Sequence, residues 1–315
     1  MKLSFIERSL VTAAAMPAPQ ARRVLMLICE AGLKGGDADA NGRERVRAID
    51  AARNVQSEGA AHYEKRRKFI TRFQTATDRI LDYAKHETLR NVEKHFRENP
   101  PHIQAAEKKP EPNSLAKQLT FDKELFGEEL IAAWKEEQDA ALRRAGQGLY
   151  DEIGMDDPFR LTDTQALRFI KKRENLLSNV PDEIHREIMD SINEGLEQGE
   201  TRPELMARIS SVFDAIKEGR AKTIANTETA AAFNYARDKA MRKAGVTHKK
   251  WLFSQSPLIK EHRETHVDAG GQIQPINEPF DVDGVKFMHP GDSSLGAGPE
   301  DIINCHCVAI PVEEP

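Results

Sequence analysis

The stretch RAKTIANTETAAAFNYARDKAMRKAGV, residues 220–246, reads as one alanine-rich helix that stops at Gly245. Its many small side chains permit close packing against neighbouring elements. Beyond Lys250 the character changes: the chain becomes dense in Gly and Pro, with short β-type runs in KKWLF at 249–253, VKFM at 285–288 and CVAIP at 307–311. That break decides the fold class. It predicts an α+β protein, with a mostly helical N-terminal and middle region followed by a small C-terminal α+β domain of short strands.

Working upstream, Thr201-Arg202-Pro203-Glu204 is a capping box with proline in the first helical turn, and Leu205, Ile209, Val212, Phe213 and Ile216 mark the buried face of that helix. Before it, Ile184, Ile188, Ile192 and Leu196 recur every four residues after Pro181, one apolar stripe ending near Gly199. The segment 98–114, ENPPHIQAAEKKPEPNS, carries four prolines among polar residues and cannot continue a helix. The expected organisation is a helical region at 1–97, a Pro-rich linker at 98–117, a helical body at 118–247 and the small α+β domain at 248–315. Within the first region, GLKGGDADANG at 32–42 has alternating Asp37, Asp39 and Asn41, but no bidentate Glu completes a calcium loop, so it reads as a surface turn.

Charged residues are 31% and aromatics 6% of the 315 residues, which fits exposed, charged helices better than a dense enzyme core. A net charge of -5 supplies no overall basic field, so any contact with DNA needs a local patch. KRRKF at 65–69 and RFIKKR at 168–173 are the candidates, although charges at such spacing are more often solvated helix faces. Glu7 and Arg8 interrupt the apolar part of the N-terminal stretch, which argues against an export signal. VLMLI at 24–28 falls far short of the roughly 20 apolar residues a membrane span needs. Cys29 stands far from the pair Cys305 and Cys307, and a Cys-x-Cys bridge would be strained, so a soluble product of a reducing compartment is expected.

The second informative stretch is DIINCHCVAI, residues 301–310. Thiolate and imidazole are preferred zinc ligands, so His266, Cys305 and Cys307 are three candidates, with His262, His289, His306 or Asp292 for the fourth place. His262 and His266 share one face if they lie on one helix. In a strand, alternation would turn Cys305 and Cys307 to one side and His306 to the other, which suits two thiols joining a core. A Cys-dependent hydrolase or transferase, with Cys305, His266 and Asn304 or Asp292 as a triad, is the third reading, and no nucleophile signature flanks it. Core packing, structural zinc and reactive thiol all remain open on the residues alone. GDSSLGAGPED at 291–301 lacks a following Lys-Ser/Thr and reads as a turn rather than a phosphate loop.

Several short motifs occur in a definite order: Thr227-Glu228, Gly245, Trp251, Arg263 with His266, EPF at 278–280, HPGD at 289–292 and INCHC at 303–307. In that order and spacing they resemble the C-terminal domain of the phage Mu F-like minor head proteins, the head morphogenesis family of tailed bacteriophages. The resemblance extends over about residues 160–315 and is specific beyond 220. It departs from the family pattern at Asn226 and His306, where arginine is usual, and at His289, where an aromatic is usual. It implies structural roles for Glu228, Trp251, Arg263, His266, Pro290, Gly291, Asp292, Asn304, Cys305 and Cys307, and no catalytic residue. It also implies a non-enzymatic minor head protein acting in capsid assembly near the portal, and in DNA packaging or ejection. The implied partners are portal, major capsid or scaffold proteins and, non-specifically, phage DNA, with no membrane. The implied location is the capsid interior, and the host cytoplasm during assembly. A non-specific DNA-binding module is the other competing class.

Overall fold

The computed structural model describes residues 38–99, 112–254 and 262–312, with side chains from residue 61 onward. Cys29, the N-terminal apolar stretch and the centre of the Pro-rich segment lie outside the described residues. The described residues divide into two compact units, a helical one drawn from 66–244 with 298–305, and one carrying the strands, drawn from 38–65, 245–297 and 306–312.

In chain order the elements are α1 (Ala38–Glu98), α2 (Pro112–Leu119), α3 (Lys123–Glu152), α4 (Asp163–Leu177), α5 (Val180–Glu197), α6 (Arg202–Ile216) and α7 (Lys222–Lys243). They are followed by β1 (His248–Leu252), α8 (Glu264–Asp268), β2 (Ile273–Pro275), β3 (Phe280–Val282), β4 (Val285–Phe287), α9 (Pro299–Ile302) and β5 (Val308–Val312). The α+β expectation holds. A local expectation fails in the first helix: α1 runs through Asn41 and Gly42, where the sequence predicts a turn. Glycine costs a helix only about 1 kcal/mol, which a helix this long tolerates.

The helical unit is built around α3, which packs on α4, α5 and α7. Ile184, Ile188 and Ile192 of α5 and Leu205, Ile209, Phe213 and Ile216 of α6 are all buried, so both apolar stripes face the core as read. Trp134 of α3 stacks on Phe73, and its indole N–H donates to Thr77 Oγ1 at 2.9 Å, which fixes α3 against α1. Glu204 accepts the Thr201 backbone N–H at 2.8 Å, the expected capping contact, and these Thr201 hydrogen bonds hold its carboxyl below the ordinary carboxylate range. Between α6 and α7 the helix continues through one π-helical turn, Lys217–Ala221, rather than breaking.

In the strand unit β1 is central. It pairs antiparallel with β2 and β5, with Trp251 opposite Ala309 and Leu252 opposite Val308. The three β-type runs read from sequence are thus β1, β4 and β5. The β3–β4 hairpin turns on Asp283 and Gly284, both at positive φ, the geometry a two-residue hairpin matching strand twist requires.

Gly146 of α3 lies directly under Phe159, where an added Cβ would fall 2.0 Å from the ring. Gly146→Ala therefore destabilises the helical unit by about 1–3 kcal/mol despite alanine's better helix propensity. Urea unfolding in a Trp251→Phe background, with Trp134 as the remaining tryptophan, checks this; a gain in stability would contradict the packing.

Candidate functional site

The sequence-predicted residues fall into a group in each unit. In the helical unit, Glu228 of α7 is 1% exposed, and a buried carboxylate requires a cation or several donors. Arg173 of α4, also buried, supplies one: its Nε donates to Glu228 Oε2 at 2.8 Å and its Nη2 donates to Oε1. Gln138 of α3 completes the site, donating from Nε2 to the same Oε2 at 2.8 Å. Three helices are therefore tied at one carboxylate. Arg173 is the last residue of the basic run RFIKKR, and burial removes it from any DNA-contacting face; Arg66, within KRRKF, is likewise buried, over the ring of Phe233. The signal that could have found the pair is the apolar period around Arg173, with Phe169 and Leu177 four residues either side and both buried.

Thr227, next to Glu228, joins the helix to the Asn304 loop. Its Oγ1 donates to Thr223 O at 2.8 Å and accepts the backbone N–H of Asn304 at 3.0 Å. Asn304 sits at φ 54°, a left-handed conformation that asparagine tolerates better than most residues. Asn226, where the family pattern has arginine, donates from Nδ2 to Asn304 Oδ1 at 3.4 Å.

In the strand unit the centre is Trp251, fully buried, with Phe280, Phe287 and His266 standing edge to face around it at 5.3, 5.7 and 5.5 Å. Lys249, two residues earlier on the same face of β1, is also buried. Its Nζ donates to Met288 O at 2.7 Å and lies over the Phe280 ring, a structural role that sequence reading missed. Arg263 precedes α8 and its carbonyl accepts the N–H groups of His266 and Val267, so Arg-x-x-His spans the first turn that delivers His266 to Trp251.

His289-Pro290-Gly291-Asp292 is a stapled turn. Gly291 takes φ 78°, and Asp292 accepts hydrogen bonds from Met288 N, Ser294 N and Ser294 Oγ at 3.2, 2.8 and 2.7 Å. Burial alone would raise the Asp292 pKa, but neighbouring His289 and these donors outweigh it and hold the carboxyl below its ordinary value.

His266 Nδ1 lies 3.7 Å from Cys307 Sγ within the strand unit, and both are buried; Cys305, buried as well, falls in the helical unit. The two cysteines precede β5 rather than lying in a strand, yet both are buried while His306 is only half-buried, its ring against Tyr63. None of His262, His289, His306 and Asp292 joins His266 and Cys307 in a metal-ligating group among the described residues. His262 precedes α8 and packs on Phe253, so the shared helix face expected for His262 and His266 does not form. His289 Nδ1 faces Pro290 O at 3.2 Å, and Asp292 is taken up by its turn.

The ordered motifs thus supply hydrogen-bonded and mostly buried residues to the interior of each unit. Residues 186–310 match the family described as Phage Mu protein F like protein, so the resemblance read from those motifs holds for this region. That family is one of bacteriophage head morphogenesis, typically structural. The uncharacterized protein YqbB of Bacillus subtilis (strain 168) is 27% identical over 168 residues, covering 52% of this chain and 54% of its own length. The chain spans about half the length of this curated relative, and no solved structure matches it.

Two outcomes test the two groups. Glu228→Gln leaves Arg173 as a buried uncompensated charge and costs about 3–5 kcal/mol, most of which the double variant Arg173→Met/Glu228→Leu restores; a cost below about 1 kcal/mol would contradict the assignment. Asp292→Asn costs about 1–3 kcal/mol at neutral pH. Because the folded pKa of Asp292 is depressed, its contribution is complete above the unfolded value near about 4 and fades as pH falls through the folded one, so variant and wild type converge in acid. Melting followed by Trp251 fluorescence reads both the loss and the convergence.

Proposed function

We propose that this protein is a structural minor component of a bacteriophage head, acting in capsid assembly near the portal and without catalytic turnover. The observation that carries the reading is the coincidence of the family match at 186–310 with motif residues whose polar groups are engaged in holding the fold. An enzyme of the proposed triad type needs an orienting group on its histidine. Here Asp292 holds its own turn and the Asn304 amide oxygen accepts from Asn226, which favours the structural reading.

The partners that fit are portal, major capsid or scaffold proteins, with the chain inside the virion head. Among the described residues no helix is long and apolar enough to cross a membrane. Contact with phage DNA is secondary and non-specific. Arg168, Lys171 and Lys172 of α4 remain exposed after Arg173 is withdrawn, and Lys171 already pairs with Glu174. Such a short run predicts weak binding that falls steeply with salt.

Deleting the gene yields heads of defective infectivity, and affinity purification of the tagged chain from assembling heads recovers portal or scaffold protein. Fully infectious particles formed without it, together with its absence from purified procapsids, would overturn the proposal. For DNA, the Lys171→Glu/Lys172→Glu variant weakens binding at low salt across all sequences; salt-insensitive, sequence-selective binding would contradict a phosphate-only contact.

A further inference from the structure

We infer that the outer face of α1 is a docking surface for the phosphate backbone of duplex DNA, separate from the short basic run of α4. Arg79, Tyr83, His86, Arg90, Lys94 and Arg97 are all exposed and recur at intervals of three and four. At about 100° and 1.5 Å per residue they occupy an arc of about 80° and a line about 27 Å long. On the other side of the same helix Phe73, Thr77, Ile80, Ala84 and Thr88 are buried, so α1 turns one flank into the helical unit and presents the other outward. The acidic residues of this stretch, Asp82, Glu87, Glu93 and Glu98, all fall outside the line. Asp82 pairs with Lys217, and Glu93 with Arg202 at 2.7 Å, which leaves Glu87 beside the line and Glu98 at the helix end.

The cations of this line do not serve the fold. From residue 68 onward, the ion pairs that α1 makes among the described residues use Arg72, Asp82, Lys85 and Glu93, and none uses Arg79, Arg90, Lys94 or Arg97. Arg90 and Lys94 stand four apart and Lys94 and Arg97 three apart, spacings at which like charges repel, so the line weakens its own helix. The helix dipole accounts for Arg97 in the last turn, but not for Arg79 or Arg90. An external polyanion offsets the repulsion. A duplex carries one phosphate charge per about 1.7 Å of its axis, so cations spread over about 27 Å reach several phosphates in any register. Arginine's planar fork and tyrosine's hydroxyl both bind phosphate, and Tyr83 is 54% exposed. The line holds no aliphatic residue of the kind that the core of a protein interface buries, which favours DNA over an acidic protein. The net charge of -5 does not oppose this, because charges beyond about 8 Å are screened at physiological salt and the local cations decide. The inference rests on the head reading only for the source of the duplex, phage DNA.

The test titrates the full chain against a random-sequence duplex longer than the line, by fluorescence anisotropy between about 50 and 200 mM salt. Wild type binds at low salt, and the logarithm of its affinity falls linearly with that of the salt concentration. The variant Arg79→Gln/Arg90→Gln/Lys94→Gln changes only exposed positions and keeps the wild-type melting temperature. It loses at least about tenfold in affinity at low salt, and its salt slope is shallower by about 2–3, since each phosphate contact contributes about 0.9. Lys171→Glu/Lys172→Glu on α4 costs less than this variant. Wild-type affinity and slope in the α1 variant would overturn the inference while leaving DNA contact elsewhere on the protein standing. No binding by wild type at low salt would overturn the inference and DNA contact together, and neither result bears on the head assignment, which gene deletion reads. Loss of portal or scaffold recovery in the α1 variant, with DNA binding unchanged, would overturn it in favour of an acidic protein partner.

Discussion

The indole of Trp251 is the surface on which the strand unit depends. It is wholly buried, and Phe280, Phe287 and His266 reach it from three separate stretches of chain, the start of β3, the end of β4 and α8. Strand β1 carries it between β2 and β5, so the same five residues supply both the sheet's central strand and its largest core side chain. A unit this small buries little apolar area relative to its chain entropy, and each polar group it encloses must be matched. Lys249 on Met288 O and Asp292 in its own turn meet that requirement within the unit.

The helical unit solves a related problem with charge. Glu228 could not be buried alone, yet Arg173 and Gln138 reach it from two other helices and make the carboxylate a three-way junction. Such pairs add little net stability over apolar substitutes, but they penalise any packing in which the partners miss. The neighbouring Thr227 to Asn304 hydrogen bond places the α9 loop on the same helix. Successive motif residues on α7 therefore fix helix packing and loop attachment in turn.

Much of this was legible in the sequence. The stripes of α5 and α6, the capping box at Thr201 and the stop at Gly245 follow from period, cap chemistry and a positive φ of 74° that glycine accepts. The three β-type runs became strands because β-branched and aromatic residues stood between turn formers. The Asp283-Gly284 hairpin, which joins β3 to β4, was not read, although Asp-Gly is a hairpin signal. What could not be read were partners remote in sequence. Arg173 looked like one more member of a basic run, because nothing within 55 residues announces Glu228 as its mate. Lys249, enclosed by Phe280 and Met288, has both of these partners more than 30 residues away in sequence. His262 and His266 looked like helix neighbours, but α8 begins only at Glu264.

The central claim is that the ordered residues of the C-terminal region act by building a fold that an assembling head requires. A stability series in the Trp251 cluster tests it most directly: Phe280→Leu, Phe287→Leu and Phe287→Ala span losses from about 1 to about 5 kcal/mol. For each variant, the melting temperature of the purified chain is set against its incorporation into heads and the infectivity of those heads. The account predicts one monotonic relation, with function declining only as the strand unit unfolds. A conservative variant of His266 or Cys305 that keeps the wild-type melting temperature and is incorporated normally, yet abolishes infectivity, would contradict it by revealing chemistry that folding does not explain.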